Sequence, residues 1–321
     1  KQGYEVRVVD VAQIYAQFNH SVVSADAVRT YIAFAAKNMG TEYVLLVGGD
    51  TYDYLNYLGL HSVSFIPTLY AYTDDIVRFA PVDPLYTDLD NDGIPDLPIG
   101  RLPVRTEAEL ASVVAKTLAY PAAGHNRTAL FAADASFATD SDQFLAQLPS
   151  LWKVTRAYLD DSDVNQARTT LLNTMDQGVA LASYVGHSGP TVWTFDGLFS
   201  TDDATMLMNA GRPMVVTQWG CWNTYYVEPH YNTLAHHLLL SGDRGAAAVL
   251  GASTLTGIAS EKVLANWLMS FLVQPGQTLG MAVQLAKKEL AAQQPQARDV
   301  LLGWTLLGDP TKAHAKLGWK P

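Results

Sequence analysis

Short hydrophobic runs alternate with amphipathic segments over most of the chain after residue 125. The runs are rich in Val, Leu and Ala and are bounded by glycine or turn residues, which is typical of buried strands in a parallel sheet. The intervening segments carry apolar residues at helical spacing. The predicted strands cover 128–133, 153–158, 179–184, 213–217, 246–251 and 304–307, and the predicted helices cover 163–175, 232–240, 261–273 and 278–293, with another beginning at about 140. This alternation predicts an α/β fold with a mostly parallel sheet and helices on both faces.

The first 120 residues follow the same pattern with longer connections. Ser24 and Thr106 are start signals for two helices, and Gly40 is a stop signal for the first of them. The predicted strands cover 3–10, 41–49 and 97–104, and the predicted helices cover 24–38 and 106–120. Because Pro-Ala-Ala-Gly at 121–124 is typical of a linker, we predict two tandem subdomains, at 1–121 and 125–321.

Composition narrows the classes of function. With 49% hydrophobic residues among 321, the chain can bury a large core. The net charge of −10 and the lack of a basic run argue against a nucleic acid partner. No apolar stretch reaches the roughly 20 residues that span a bilayer. Cys221 is the only cysteine, which excludes an internal disulfide.

Reactive side chains follow two neighbouring strands of the predicted sheet. His187 comes after the strand at 179–184, and Cys221 comes after the strand at 213–217. Because ligands of open α/β sheets bind at the carboxyl ends of the strands, we expect these two side chains to meet at one edge. A thiol beside an imidazole forms a nucleophilic thiolate. The alternative interpretation of Cys221 is a buried, inert thiol in the core.

Several motifs in the same order along the chain resemble the gingipain family of cysteine peptidases, which belongs to the clan of caspase-like folds. They are GHSGPTVW at 186–193, GCWNTY at 220–225, YVLLVGGD at 43–50, PDLPIGRLPV at 95–104, GAAAVLGAST at 245–254 and WTLLGDPT at 304–311. The resemblance implies a caspase-like three-layer sandwich and secretion or location at the cell surface. The family has a further strand and helix before the segment at 3–10. We therefore expect a missing N-terminal segment, or further domains, of the same precursor.

The resemblance also implies roles for the residues at the strand ends. Cys221 is then the nucleophile, and His187 is the general acid and base. The oxyanion hole is formed by the N–H of Cys221 and that of the Ser188-Gly189 turn. Many family members have glycine directly after the histidine, where this chain has Ser188. Asp134, at the end of a strand, matches the acidic residue that orients the histidine, although it also fits an ordinary turn after a strand.

Arginine-specific relatives carry an acidic residue in a Ser-Asp pair that lines the primary pocket. Asp142 is the best match and Asp140 is the nearest alternative, so we predict cleavage after Arg or Lys, with a carboxylate binding the guanidinium in bidentate fashion. The same Thr-Asp-Ser-Asp segment is also typical of a helix start. Relatives have a tryptophan beside the pocket where this chain offers Ile258. The remaining candidates for substrate contact are Trp193 and Trp219, and core packing is the preferred interpretation for Trp219.

An acidic loop at 87–96 is a candidate calcium site. Asp88, Asp90 and Asp92 occupy alternate positions, and Gly93 and Asp96 follow. Calcium binds several carboxylate oxygens from a short loop, and glycine permits the sharp turn. Without a cation these carboxylates would repel one another. The alternative is a solvated acidic turn, since Asp-Gly is a strong turn signal.

Three functions compete at this point. The first is a cysteine endopeptidase that acts on protein or peptide substrates through a thioester. The second is a glutaminase or another thiol acyl hydrolase or transferase, which usually carries its cysteine at a strand-to-helix elbow. Pro229, soon after Cys221, argues against a helix there. The third is a catalytically idle surface or regulatory domain, whose signature would be the loss of Cys or His.

Overall fold

The computed structural model describes residues 3–125 and 127–312. The helices are α1 (Val11–Phe18), α2 (Ala25–Met39), α3 (Glu107–Ala119), α4 (Ala138–Leu145), α5 (Val164–Gln177), α6 (Thr201–Met206), α7 (Leu234–Leu240), α8 (Ile258–Leu272), α9 (Leu279–Gln293) and α10 (Arg298–Gly303). The strands are β1 (Val44–Val47), β2 (Tyr70–Ala71), β3 (Ala80–Pro81), β4 (Ile99–Leu102), β5 (Thr128–Ala133), β6 (Lys153–Tyr158), β7 (Leu181–Val185), β8 (Ser188–Gly189), β9 (Val192–Trp193), β10 (Phe199–Ser200), β11 (Met214–Trp219), β12 (Ala246–Ala252) and β13 (Trp304–Leu307).

Eight strands form one central sheet in the order β1-β4-β13-β12-β11-β7-β5-β6. Every neighbouring pair is parallel except β12 and β13, which are antiparallel. The three strands β11, β7 and β5 lie side by side and run in the same direction, so their carboxyl ends share one edge. The prediction of a mostly parallel sheet is therefore confirmed.

Two hydrophobic layers cover the sheet, one on each face. On one face, Phe144 of α4 and Leu268 of α8 pack against Phe131 and Trp219. On the other face, helices α3, α5 and α7 pack against the alternate strand residues. This arrangement confirms the three-layer sandwich, and it follows from strands whose residues are buried on both sides.

The N-terminal strands belong to the same sheet as the rest of the chain. β4 pairs with β13, and β1 pairs with β4. This end of the sheet has its own small core, where α1 and α2 pack through Ile14, Val28 and Ile32. The sheet is thus continuous across residues 121–125, and the division into two subdomains stays a prediction.

The strand predicted at 3–10 is wrong. Val6 is 80% exposed and Val8 is 92% exposed, and the segment pairs with no other strand of the described chain. Asp10 instead accepts a hydrogen bond from the N–H of Ala12 and caps α1, which the hydrophobic pattern did not predict. No helix of the described residues is long and apolar enough to cross a bilayer.

Candidate active site

The two residues expected at the site follow paired strands. Val185 of β7 lies opposite Trp219 of β11, and the N–H of Gly186 donates to the Trp219 carbonyl at 2.9 Å. His187 and Cys221 each lie two residues beyond that pair. The strand register therefore brings both residues to the same edge of the sheet, as the sequence predicted.

Glycines allow the two loops to touch at this edge. A Cβ atom on Gly220 would lie 2.3 Å from the Gly186 carbonyl oxygen and 2.6 Å from Ser188 Oγ. Gly186 has φ +146°, and a Cβ there would lie 2.2 Å from the Asp134 Cβ. Both contacts are too short for any side chain, so the Gly-His and Gly-Cys pairs are needed for the loops to pack.

Hydrogen bonds from polar side chains connect the Cys221 loop to the His187 loop. Ser188 Oγ donates to the Cys221 carbonyl at 2.8 Å. Asn223 Nδ2 donates to the Gly220 carbonyl at 2.9 Å and to Ser188 Oγ at 3.3 Å. Asn223 Oδ1 accepts from the N–H of Ala252 at 3.0 Å. We did not predict these roles from the sequence, although Asn223 lies within the GCWNTY motif that carries the resemblance.

The Cys221 thiol is partly buried and faces the loop that precedes α8. Its Sγ lies 3.7 Å from the Thr256 carbonyl oxygen and 3.9 Å from Thr256 Oγ1. Burial raises the pKa of this thiol above its usual value, and the nearby Glu261 carboxyl raises it further. A protonated thiol is a weak nucleophile, so a base has to take its proton.

His187 is exposed at the same edge and lies between two aromatic rings. Phe137 meets the imidazole edge to face at 5.5 Å, and Phe195 stacks on it at 6.4 Å. Asp134 Oδ2 accepts a hydrogen bond from the N–H of His187 at 3.1 Å. Asp134 Oδ1 accepts from the N–H of Ala135 at 2.9 Å. Asp134 therefore lies beside the histidine and holds the main chain of His187, and its role in orienting the imidazole stays a prediction.

Two of the predicted substrate contacts are wrong. Trp193 and Trp219 are fully buried and therefore inaccessible to a substrate. The Trp193 indole donates to Gln218 Oε1 at 2.6 Å, and the Trp219 indole donates to Ser183 Oγ at 3.2 Å. Core packing is thus the role of both. Ile258, the first residue of α8, is 37% exposed and remains accessible.

The two aspartates predicted to line the primary pocket both lie within α4 and have cationic partners. Asp142 is paired with Arg156 at 3.0 Å and accepts from the Tyr158 hydroxyl at 2.9 Å. Asp140 forms an ion pair with Lys262 of α8, and its side chain is only 14% exposed, against 52% for Asp142. The segment lies in the first turns of α4, so the interpretation as a helix start is confirmed, although the N-cap is Phe137 and neither aspartate caps the helix.

The acidic loop brings together three of its four predicted ligands. Carboxylate oxygens of Asp88, Asp90 and Asp96 lie within 4.8 Å of one another. Asp92 is not part of this group, because its carboxylate accepts the N–H of Ile94 at 2.8 Å and stabilises the turn. Arg29 pairs with Asp88 at 3.4 Å. The geometry is therefore that of three hard oxygen ligands beside one arginine.

Comparison with known proteins adds to this geometry. The sequence model of peptidase family C25 matches residues 1–313. The complex of Porphyromonas gingivalis RgpB pro- and mature domains has a similar structure, with a TM-score of 0.77 and 18% identity, over 93% of this chain and 71% of that one. The Arg-specific cysteine proteinase gingipain R (RgpB) gives a TM-score of 0.76 and 18% identity, over 91% and 68%.

Comparison with curated protein sequences gives no match. At 18% identity the two structural likenesses establish the fold, and the family match establishes the membership. With His187 and Cys221 at the edge where the family motifs lie, the chain belongs to peptidase family C25, the gingipain family of cysteine peptidases.

Proposed function

We propose that the chain is an endopeptidase that cleaves peptide bonds through a thioester on Cys221, with His187 as general acid and base. The observation that carries this proposal is the register of β7 and β11, since it brings both loops to one sheet edge. His187 takes the thiol proton, and the thiolate attacks the carbonyl carbon. His187 then protonates the leaving amine, and water hydrolyses the thioester.

The Cys221 loop also supports an oxyanion hole. Among residues 3–125 and 127–312, no acceptor engages the N–H of Cys221. The N–H of Thr194 donates to the His187 carbonyl at 2.9 Å. Because hydrogen-bonded and free positions alternate in an antiparallel ladder, we infer that the N–H of Ser188 points away from β9. These two N–H groups are then the donors for the oxyanion.

The local structure after Cys221 favours a peptidase over the other thiol hydrolases. The chain continues in turns and loops, and the next helix, α7, begins only at Leu234. A strand-to-helix elbow is therefore not the setting of this cysteine.

The test is peptide hydrolysis by the purified protein with Cys221→Ala and His187→Ala variants. Each change is expected to lower kcat by on the order of 10⁴-fold or more, because the two groups act as a unit. His230→Ala is the matched control, since this exposed histidine lies in the same loop region and contacts Glu228. Turnover retained in the Cys221→Ala protein would reject the thioester mechanism. A thiol-reactive peptidyl probe that labels Cys221 only when His187 is present would support it.

We also propose a preference for Arg or Lys before the cleaved bond. Asp140 and Asp142 are the candidate carboxylates. Asp140 is the better placed, because it is recessed and contacts α8, the helix that begins near Cys221. RgpB, a structural neighbour, is described as Arg-specific.

A structural calcium ion in the acidic loop is a further proposal. The donor set fits, since Asp88, Asp90 and Asp96 offer carboxylate oxygens from one short loop. Backbone N–H groups already bind part of each carboxylate, which orders the loop in advance. These residues would hold the ion, and the ion would offset their mutual repulsion.

Location and partners are proposed from the relatives. The family resemblance supports secretion or attachment at the cell surface. The RgpB structure contains pro- and mature domains, so a prosegment of the same precursor is a proposed partner of this chain. Detection of the protein in the medium or on intact cells by surface labelling would test the location.

A further inference from the structure

A buried carboxyl group lies directly behind the nucleophile loop. Glu261 is in the first turn of α8 and is 1% exposed. Its Oε1 accepts from Thr256 Oγ1 at 2.8 Å, and the N–H of Gly220, the residue before Cys221, also acts on this carboxyl group and favours its ionised form. Among the residues that the structure describes, no lysine or arginine is paired with Glu261. The role of this group is not explained by the peptidase mechanism above.

Thr256 connects this carboxyl group to the thiol. Its hydroxyl has one proton and two acceptors within reach, Glu261 Oε1 at 2.8 Å and Cys221 Sγ at 3.9 Å. If Glu261 is protonated, its O–H can donate to Thr256 Oγ1, and the Thr256 proton is left for the sulfur. If Glu261 is ionised, the Thr256 proton goes to the carboxylate, and the negative charge opposes a thiolate nearby.

We propose that Glu261 is a positioning residue that acts on Cys221 through Thr256, supporting the thiolate when its carboxyl group is protonated and opposing it when ionised. This inference rests on Cys221 being the nucleophile of the proposed peptidase.

The surroundings of Glu261 support a protonated state at neutral pH. Burial raises the pKa of Glu261 to about 8, and the charge of Asp299 from α10 raises it further. The other ionisable group near Glu261 is the Cys221 thiol after β11. Lys262, the next residue of α8, pairs with Asp140 of α4, so Glu261 forms no ion pair among the described residues.

The test uses the single cysteine as its own probe. The rate of alkylation of Cys221 by iodoacetamide is measured from pH 5 to 10 in the wild type and in Glu261→Gln, which keeps the shape but cannot ionise. We expect the apparent pKa of Cys221 to fall by about one pH unit in Glu261→Gln, because the amide can donate to Thr256 Oγ1 and leave the Thr256 proton for the sulfur, and because a like charge has been removed. We also expect the ratio of kcat/KM at pH 9 to kcat/KM at pH 6.5 to be higher in Glu261→Gln than in the wild type. Glu107→Gln, an exposed glutamate in the first turn of α3, is the matched control and should change neither profile.

A second variant tests the route through Thr256. In a Thr256→Val protein, adding Glu261→Gln should shift the alkylation profile less than in the wild type, and Thr256→Ser should restore the full shift. Identical alkylation profiles for the wild type and Glu261→Gln would overturn the proposal, and so would a full shift in the Thr256→Val background. If Glu261→Gln fails to fold, Thr256→Val must slow the alkylation of Cys221 at pH 6.5, where Glu261 is protonated and the Thr256 proton is left for the sulfur, for the proposal to stand. A shifted alkylation profile without peptide hydrolysis in any variant would support the role of Glu261 and count against the proposed peptidase function.

Discussion

Buried and partly buried carboxylates have different partners at the two ends of the sheet. In the N-terminal part, arginines neutralise two of them: Asp83 is paired with Arg101, and Asp88 is paired with Arg29. Around Cys221, three acids form no ion pair with a lysine or arginine of the described residues, and each interacts with a main-chain N–H of a site loop. Asp134 accepts from His187 and Asp299 accepts from Gly257, and the N–H of Gly220 acts on Glu261.

This difference separates acids that stabilise the fold through ion pairs from acids that position the loops around Cys221. An arginine partner favours the ionised form of the carboxylate, because guanidinium is always protonated. A carboxylate bonded to main-chain N–H groups fixes the loop while its own charge can still change. The following predictions test this contrast, from the largest expected effect to the smallest.

Loss of Arg101 should have the largest effect on stability. Arg101 is fully buried, and its Nε and Nη2 bind Asp83 at 2.6 and 2.7 Å. Arg101→Met leaves Asp83 buried without a counter-ion and should lower the free energy of unfolding by about 3–5 kcal/mol. Urea denaturation measures this change. Arg29→Met, which removes a more exposed partner, should cost no more than about 1 kcal/mol. Equal losses in the two variants would contradict the distinction between the pairs.

Calcium should stabilise the acidic loop at 87–96, because Arg29 pairs with Asp88 alone and leaves the negative charge of the other carboxylates uncompensated. A ligand that binds only the folded state adds about 2.7 kcal/mol at a concentration 100 times its Kd. Thermal melts with calcium and with a chelator should therefore differ by several degrees. Asp90→Asn should abolish the difference, since Asp90 belongs to the group of three carboxylates and is exposed. Asp92→Asn, outside that group, is the control. Identical melts with calcium and chelator would reject the site.

Asp134→Ala should impair catalysis by releasing His187. It removes the acceptor of the His187 N–H, a hydrogen bond to a charged group worth about 1.5–3 kcal/mol. We expect kcat/KM to fall about 10- to 100-fold. Asp134→Asn keeps one acceptor oxygen, so its kcat/KM should fall less than that of Asp134→Ala.

Asp160 provides the matched control for Asp134. Its carboxylate accepts the N–H groups of Ser136 and Ala138 in the same loop without contacting His187. If Asp160→Ala lowers kcat/KM as much as Asp134→Ala does, the effect comes from the loop as a whole.

The stability of the folded state should depend on pH through Glu261. Its pKa is raised to about 8 in the folded protein, so the folded state binds the proton more tightly than the unfolded state does. The resulting stabilisation is complete below the unfolded pKa of about 4.5 and is lost as the pH rises through 8. The difference in unfolding free energy between the wild type and Glu261→Gln should thus fall from pH 5 to pH 9. Parallel pH curves for the two proteins would contradict the raised pKa.

The sequence predicted the sheet and its reactive edge because both depend on local patterns. Buried strands carry continuous hydrophobic runs, and His187 and Cys221 directly follow two of them. The partners of Asp140 and Asp142 could not be predicted, since Lys262 is distant in the sequence and only packing of α8 on α4 brings it near. Glu261 did leave a signal: it precedes Leu264 and Ala265 at helical spacing on the buried side of α8. A glutamate on an apolar stripe indicates a buried acid, but its contact with the Gly220 loop requires the fold.

Substrate preference should show the smallest change, because the candidate carboxylates already have cationic partners. Asp140 is bound by Lys262, so an arginine of the substrate has to compete with that lysine for the carboxylate. Asp140→Asn should therefore lower the ratio of kcat/KM for Arg over Leu substrates by about tenfold, near the lower end for a charge-assisted bond. Lys262→Gln should raise the same ratio, because it removes the competing cation.

Asp142→Asn is the matched change two residues away, where the carboxylate is half exposed and bound by Arg156. Fluorogenic peptides that differ only in Arg, Lys, Leu or Asp before the cleaved bond measure all three effects. A larger loss in Asp142→Asn would make Asp142 the pocket residue, and equal rates for the four peptides in the wild type would reject a basic preference altogether.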